Sequence, residues 1–210
     1  MKMIRTLTGD PRLVKSGFDS RPNDPLVMFK QWLEAADSLQ VKEPRGFVLS
    51  TVDAVGRPSS RVIVLKELDD AGIIFSTSGE SAKGKDLKLN FWASGTVWWR
   101  ETMQQINIQG RVRTVSDKKS DEIFHERIRE AQAIAVLSKQ SAPLNDEEIL
   151  KLEVFNLVQR EGEIERPSTW HAYHLAIESI EFWHGSKDRF HKRLHYKLDN
   201  GTWSHQRLQP

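Results

Sequence analysis

The run RVIVLK at residues 61–66 sets an arginine and a lysine at the two ends of four aliphatic residues. Neither cation is buried without cost unless it meets an opposite charge, a dipole or water. Either both ends are wet, or something anionic lies along a buried strand. Strict alternation puts Arg61 and Lys66 on opposite faces, so one ligand meets both only across a twist, a bulge or a strand end at Lys66. Further on, Ile123, Arg127 and Ala131 are spaced four apart in a stretch read as one helix. They would form one stripe, on the side that carries Phe124, and frame an arginine with apolar side chains. Arg189 and His191 in RFHKR alternate, and on a strand they would share a face.

Other chemistries lack their apparatus. GESAKGKD at 79–86 has the spacing of a phosphate-binding loop, but Asp86 stands where a hydroxyl should hold magnesium, and the flanking pattern is not βαβ. His171 and His174 have no third ligand within reach on a helix, so no metal site is expected. The chain has no cysteine, hence no disulfide and no thiolate site, and it has no G-x-S-x-G elbow. Its 31 basic and 29 acidic residues are interspersed and leave a charge of +2, which argues against nucleic acid or a membrane surface as a partner. MKMIRTLTGD lacks the apolar stretch of a signal peptide, and no run has the length of a membrane span, so a cytoplasmic protein is expected.

The elements that must position these residues follow from periodicity and punctuation. Residues 1–22 show no period and read as a flexible N-terminal arm, with a single domain over 23–210. Asp24 caps and Pro25 opens an amphipathic helix carrying Leu26, Phe29, Trp32, Leu33 and Ala36 at helical spacing. FVLSTVD, SSRVIVLKEL and GIIFSTS read as a meander, SAKGKDLKLN as a short helix, and GTVWWRE and QQINIQGRVRTV as further strands. Two helices, DKKSDEIFHERIREAQ and NDEEILKLEVFNLVQREG, come next. HAYHLAIESIEFW then shifts its apolar phase near Glu178, which predicts a bulge, and RFHKRLHYKL meets TWSHQRL at the Asn200-Gly201 hairpin signal. Six or more short antiparallel strands with a few helices point to a closed or split β-barrel.

In this order and at this spacing, RVIVLK, FSTS, SAK, QQINIQG, LSKQS, IEFWHG and RFHKR resemble the pyridoxamine 5'-phosphate oxidase family of flavoproteins. The resemblance runs from about Asp24 to Pro210. It implies a mainly β fold with helices: an antiparallel, FMN-binding split β-barrel, homodimeric, with two FMN molecules at the interface, each touching both chains. Carried over by position, it makes Arg61, Val64, Lys66, Ser76, Thr77, Lys83, Gln105, Gln140, Ser141, Trp183 and Arg193 contacts of FMN. Arg61 and Lys83 would lie near the phosphate and Lys66 toward the ring. The sequence departs from the family at Ser76, usually Tyr, and at Ala82, usually Arg, which removes one phosphate cation.

The substrate side also departs. Where this chain has Ile123, Arg127 and Ala131, the vitamin-B6 oxidases carry Tyr, Arg and Ser, which together bind the substrate phosphate. A phosphate dianion stripped of two hydroxyl partners is poorly satisfied, whereas a carboxylate needs little beyond one bidentate arginine. Arg189 and His191 match the family's Arg-x-His pair beside the substrate, so Lys66, Arg127, Arg189 and His191 are the substrate-binding candidates. No residue is assigned as a catalytic acid or base. With RLQP, WASG and WWRET, the chain resembles the phenazine-biosynthesis flavin oxidase branch. That implies oxidation of dihydro- or tetrahydrophenazine carboxylic acids to the aromatic phenazine, with O2 as acceptor and hydrogen peroxide as product. The alternatives are a pyridoxamine 5'-phosphate oxidase of vitamin B6 metabolism and a non-enzymatic flavin-binding β-barrel.

Overall fold

The computed structural model describes residues 7–15 and 17–210; the rest of the predicted arm and the start of MKMIRTLTGD lie outside the described residues. Helix α1 (Pro25–Ser38) begins where the sequence places it: the Asp24 carboxylate accepts from the Leu26 N–H at 2.8 Å, and Pro25 takes the first turn, where its missing N–H costs nothing. The helix buries its apolar stripe on the sheet, with Trp32 edge-on to Phe182 at 5.2 Å. Within the N-terminal segment, Phe18 is buried 6.0 Å from Trp32, and the Tyr196 hydroxyl donates to the Pro22 carbonyl.

Nine antiparallel strands form one sheet among the described residues. They are β1 (Gly46–Val52), β2 (Pro58–Val64), β3 (Glu67–Leu68), β4 (Gly72–Ser78), β5 (Trp92–Trp99), β6 (Gln104–Thr114), β7 (Trp170–His184), β8 (Lys192–Asp199) and β9 (Thr202–Leu208). The main ladder runs β2-β1-β5-β6-β7-β4-β3, and β8 continues from the distal half of β7 to β9. At the other end β2 and β4 approach each other with no ladder between them, which is the split in the barrel. Barrel-facing residues of alternate register, among them Leu49, Phe75, Ile106, Leu175 and Phe182, make the main core.

Two local predictions are met in detail. Gln109 pairs with Ser179 and Gly110 with Ile177, so Glu178 is the extra residue of a bulge in β7. Asn200 and Gly201 both take positive φ, 49° and 78°, between β8 and β9, as a two-residue hairpin with the twist of its strands requires.

Three expectations need correction. SSRVIVLKEL is not one buried strand: β2 ends at Val64, Leu65 donates to Arg45 and Lys66 to Ile74, and the chain crosses from β1 to β4 as β3. Val62 and Val64 are 72% and 50% exposed in the single chain, so β2 is an open edge. DKKSDEIFHERIREAQ is two helices, α3 (Asp117–His125) and α4 (Arg129–Leu137), so Ile123, Arg127 and Ala131 do not share a helical stripe. The break needs neither Pro nor Gly, because the Gln132 amide donates to the carbonyls of His125 and Arg127 and satisfies what the helix leaves open. Arg189 and His191 precede β8 in a turn and are not strand neighbours.

Helix α2 (Ala82–Leu89) follows β4, and α5 (Glu147–Gln159) packs along α4. Arg129 fastens that pair, its guanidinium donating to the carbonyls of Val158, Arg160 and Gly162. A second core of Ile74, Ile123, Phe124, Ala133, Ile164, Trp170 and Ala172 sits between these helices and the sheet. No helix among the described residues is long and apolar enough to cross a membrane.

Candidate active site

The gap between β2 and β4 holds the charge that the sequence left unexplained. Arg61 projects from β2, and its Nη1 donates to Thr51 Oγ1 at 2.8 Å and to the Leu49 carbonyl at 3.3 Å, while Nη2 meets Ser59 Oγ. Thr51 and Ser59 face each other across the β1/β2 ladder, and both hydroxyls donate to Asp86 on α2, at 2.6 and 3.4 Å. Burial pushes the Arg61 guanidinium down, and the charge of Asp86 opposes that. Asp86, which disqualified the phosphate-loop reading, is thus the carboxylate that faces Arg61.

Lys83 lies in the first turn of α2 and is 7% exposed. Its Nζ donates to Thr77 Oγ1 at 3.1 Å and Ser81 Oγ at 3.3 Å, both uncharged. Burial pushes its pKa down, and the positive charge of Arg61 pushes it further. Two inward cations repelling each other, with one carboxylate on the far side of Arg61, make a site short of negative charge. Ser81 caps α2 by accepting from Gly84 N–H, and Ser141 Oγ, from the loop after α4, accepts from Ala82 N–H at 3.2 Å. Gln140 accepts from the Thr77 hydroxyl. The arrangement can take a phosphate dianion: cations, hydroxyls and a helix N-terminus converge where a neutral ligand would leave the lysine unpaired.

From this cluster a cavity of about 300 Å³ opens between β2, β4 and α4, and a second of about 610 Å³ adjoins it along Ser78, Ser138 and Gln140. Val64, Lys66, Ser76 and Thr77 line the sheet side of the first, and Ile134, Ala135 and Ser138 the helical side. Val64 and Lys66, two residues apart, line this cavity together, while Arg61 stays in the neighbouring cluster with Thr51 and Ser59.

Arg127 enters this cavity from the break between α3 and α4. Its guanidinium lies 5.8 Å from the Phe124 ring centre and 5.2 Å from that of Trp170. Burial alone pushes its pKa down, and its Nη1 is buried with no hydrogen-bond partner. A desolvated cation with a free donor is costly in an empty site and is satisfied by an anion. Ile123 is fully buried in the second core, and neither it nor Ala131 offers a hydroxyl there.

The remaining candidates form a separate group. Trp98, Gln105, Trp183 and Arg193 lie opposite one another across β5, β6, β7 and β8, a transverse row on one face. Trp98 and Trp183 are 5.9 Å apart, and Arg193 makes a double hydrogen bond to Glu181 at 2.6 and 3.0 Å. His191 rests on Trp183 at 4.7 Å, and Arg189 is two residues before it. None of these lines the cavity that holds Arg127 and Lys66.

Sequence reasoning missed Thr51, Ser59, Ser81, Asp86 and Trp170. Ser81 had a signal, a serine directly before a short helix. Thr51 and Ser59 become partners only through the β1/β2 register, and nothing near Trp170 in the sequence points to Arg127.

Comparison with known proteins places this geometry. The family described as Pyridoxamine 5'-phosphate oxidase matches residues 33–159, and the one described as Pyridoxine 5'-phosphate oxidase C-terminal dimerisation region matches 170–210. The chain is 38% identical to dihydrophenazinedicarboxylate synthase of Pseudomonas chlororaphis, covering 99% of this chain and 94% of that protein. It is 36% identical to the pyridoxine/pyridoxamine 5'-phosphate oxidase of Mannheimia succiniciproducens, with 90% of each covered. A crystal structure of PhzG from Burkholderia lata 383 in complex with tetrahydrophenazine-1-carboxylic acid superposes with a TM-score of 0.93 at 37% identity, covering 96% of this chain and 100% of that one. A pyridoxamine 5'-phosphate oxidase-related, FMN binding protein from Nostoc punctiforme shares the fold at 18% identity, with a TM-score of 0.74 over 89% of this chain and 97% of that one.

Proposed function

The chain belongs to the pyridoxamine 5'-phosphate oxidase family, and within it we propose that this protein is an FMN-dependent oxidase that converts reduced phenazine carboxylic acids to the aromatic phenazine, with O2 as acceptor. The observation that carries this reading is Arg127: a desolvated guanidinium over the rings of Phe124 and Trp170, with a free donor in a cavity whose lining carries no tyrosine hydroxyl. A planar carboxylate satisfies it, while a B6 phosphate would lack partners. The full-length likeness to dihydrophenazinedicarboxylate synthases supports the same choice.

The residues present fit FMN. Arg61 and Lys83 would hold its phosphate, with Thr77, Ser81 and the α2 N-terminus adding neutral donors. Val64, Lys66, Ser76, Gln140 and Ser141 would bound the rest, Lys66 toward the ring. In a homodimer, which the match to a dimerisation region supports, Gln105, Trp183 and Arg193 would reach the FMN held by the partner. The exposed Val48, Val62, Val64 and Trp98 of the single chain suit a face covered in that way. FMN held by these residues would supply a two-electron acceptor for the substrate, with O2 as the final acceptor and hydrogen peroxide as the product.

The chain's own work is then binding and orientation. Arg127 would fix the carboxylate end of the tricycle, its guanidinium resting over the rings of Phe124 and Trp170. Lys66 places positive charge beside the site where electrons arrive. Arg189 and His191, beside Trp183, would in the homodimer close the other side of the substrate held by the partner. Aromatisation provides driving force, so little acid-base machinery is needed.

Anaerobic mixing of FMN-loaded protein with a dihydrophenazine carboxylate is expected to bleach the flavin absorbance and give the spectrum of an aromatic phenazine. Efficient turnover of pyridoxamine 5'-phosphate with none of the phenazine acid would replace this reading by a B6 oxidase.

A further inference from the structure

The turn between β7 and β8 is more ordered than its exposure suggests. Its first residue is tied down by Gly185 N–H donating to the Met103 carbonyl. Asp188 Oδ1 then accepts twice, from Ser186 Oγ at 2.5 Å and from Phe190 N–H at 2.9 Å, and Arg189 N–H donates to the Ser186 carbonyl. These bonds hold the Asp188 carboxyl below its ordinary pKa, the Ser186 hydroxyl first. Arg189 sits at φ 71°, a left-handed conformation that strains a residue bearing a side chain. Glycine would relieve that strain but would remove the guanidinium.

This fold of the turn brings Ser186 N–H to His191 Nδ1 at 3.1 Å. An N–H donates only to a lone pair, so Nδ1 carries no proton and the neutral ring has its proton on Nε2. Trp183 lies against the same ring and limits its rotation.

We propose that Asp188 is a positioning residue whose turn locks His191 as the Nε2–H tautomer, so that His191 serves the substrate as a neutral hydrogen-bond donor and not as a proton acceptor. The proposal rests on the reading of His191 as a substrate group. It adds which atom acts, in what form, and what holds it there. With Nε2 already protonated and Nδ1 occupied by a backbone donor, the ring has no free lone pair for a substrate proton. It has one N–H to offer an acceptor such as a carboxylate oxygen. Asp188 touches no substrate in this scheme and works through the Ser186 hydroxyl and the Phe190 N–H, which fix the turn that presents the Ser186 N–H.

The test is ¹⁵N NMR of histidine-labelled FMN-loaded protein near pH 8, with the His191 signal assigned by its loss in His191→Leu. The wild type is expected to show an unprotonated Nδ1 and a protonated Nε2. In Asp188→Ala the two tautomers are expected to mix, with KM for tetrahydrophenazine-1-carboxylic acid raised about tenfold and kcat changed far less. Asp188→Asn keeps an acceptor oxygen for Ser186 and Phe190 and is expected to restore both readouts to within about twofold. A protonated Nδ1 in the wild type overturns the proposal whatever the variants do, as does a folded Asp188→Ala protein with an unchanged tautomer. Failure of the wild type to oxidise any phenazine acid would count against the proposed function instead, and the tautomer would still be read.

Discussion

At the scale of single residues, two arginines that look alike in the sequence do opposite work. Arg61 is embedded among Thr51, Ser59 and Asp86, whereas Arg127 has a donor with nothing to meet. Arg61→Ala is therefore expected to weaken FMN binding by about 10- to 100-fold, the worth of a charge-assisted hydrogen bond at a site already lacking a cation at Ala82. Fluorescence titration with FMN reads this directly, and an unchanged affinity would mean the phosphate lies elsewhere. Arg127→Ala should purify with a full complement of flavin and a KM for the phenazine acid raised at least about tenfold. Normal steady-state kinetics in that variant would return Arg127 to a packing role.

At the scale of elements, Gly110 is the most constrained point of the ladder. It lies at the register shift opposite the Glu178 bulge, and a Cβ there would come 1.8 Å from the Ala176 carbonyl oxygen. Gly110→Ala is expected to cost about 1–3 kcal/mol, as overpacking against backbone does, with a lower thermal midpoint. An unchanged midpoint would show that the bulge yields more easily than its geometry implies. The bulge, the α1 cap at Asp24 and the Asn200-Gly201 turn were all legible in the sequence, because each is set by residues within a few positions of one another. The break between α3 and α4 was not, since no Pro or Gly marks it and Gln132, whose amide satisfies the open carbonyls of His125 and Arg127, looks in sequence like any helix residue. The same holds for the site: the cations were visible, but their neutral partners Thr51 and Ser59 need the strand register to be found. Arg189 and His191 misled for a related reason, as alternation imitates a strand where Asp188 makes a turn.

At the scale of the whole molecule, the two groups of candidate residues stand on different parts of one chain, and the proposed FMN site needs both. Arg61→Ala and Trp183→Ala homodimers should each bind FMN poorly, while a purified heterodimer of the two should bind about one FMN per dimer, because one of its two sites is then intact. A heterodimer that binds none would dismiss the shared site. Stability also has a pH dependence written into the fold. His184 is buried, which pushes its pKa below the ordinary 6.5, against weaker upward pulls from the carbonyls of Thr102 and Pro11. The unfolded chain therefore binds the proton more readily. The stability from neutral His184 is complete above pH 6.5 and declines as pH falls toward the folded value, by at most about 1.4 kcal/mol per pH unit. Urea midpoints at pH 7.5 and 5.5 should differ less in His184→Gln than in the wild type, and equal differences would assign the loss to other groups.

Helix α4, which Arg129 fastens to α5, lies between β6 and β7 in the chain and forms the far wall of the cavity whose near wall is the barrel. On the proposed function, recognition of the ring system and possession of the electron-transfer centre would rest on different elements and could be inherited separately. Drift in residues such as Ile134, Ala135 and Ser138 alters which molecule is admitted without touching the strands around Arg61, and a lineage can change its metabolite while keeping its colour.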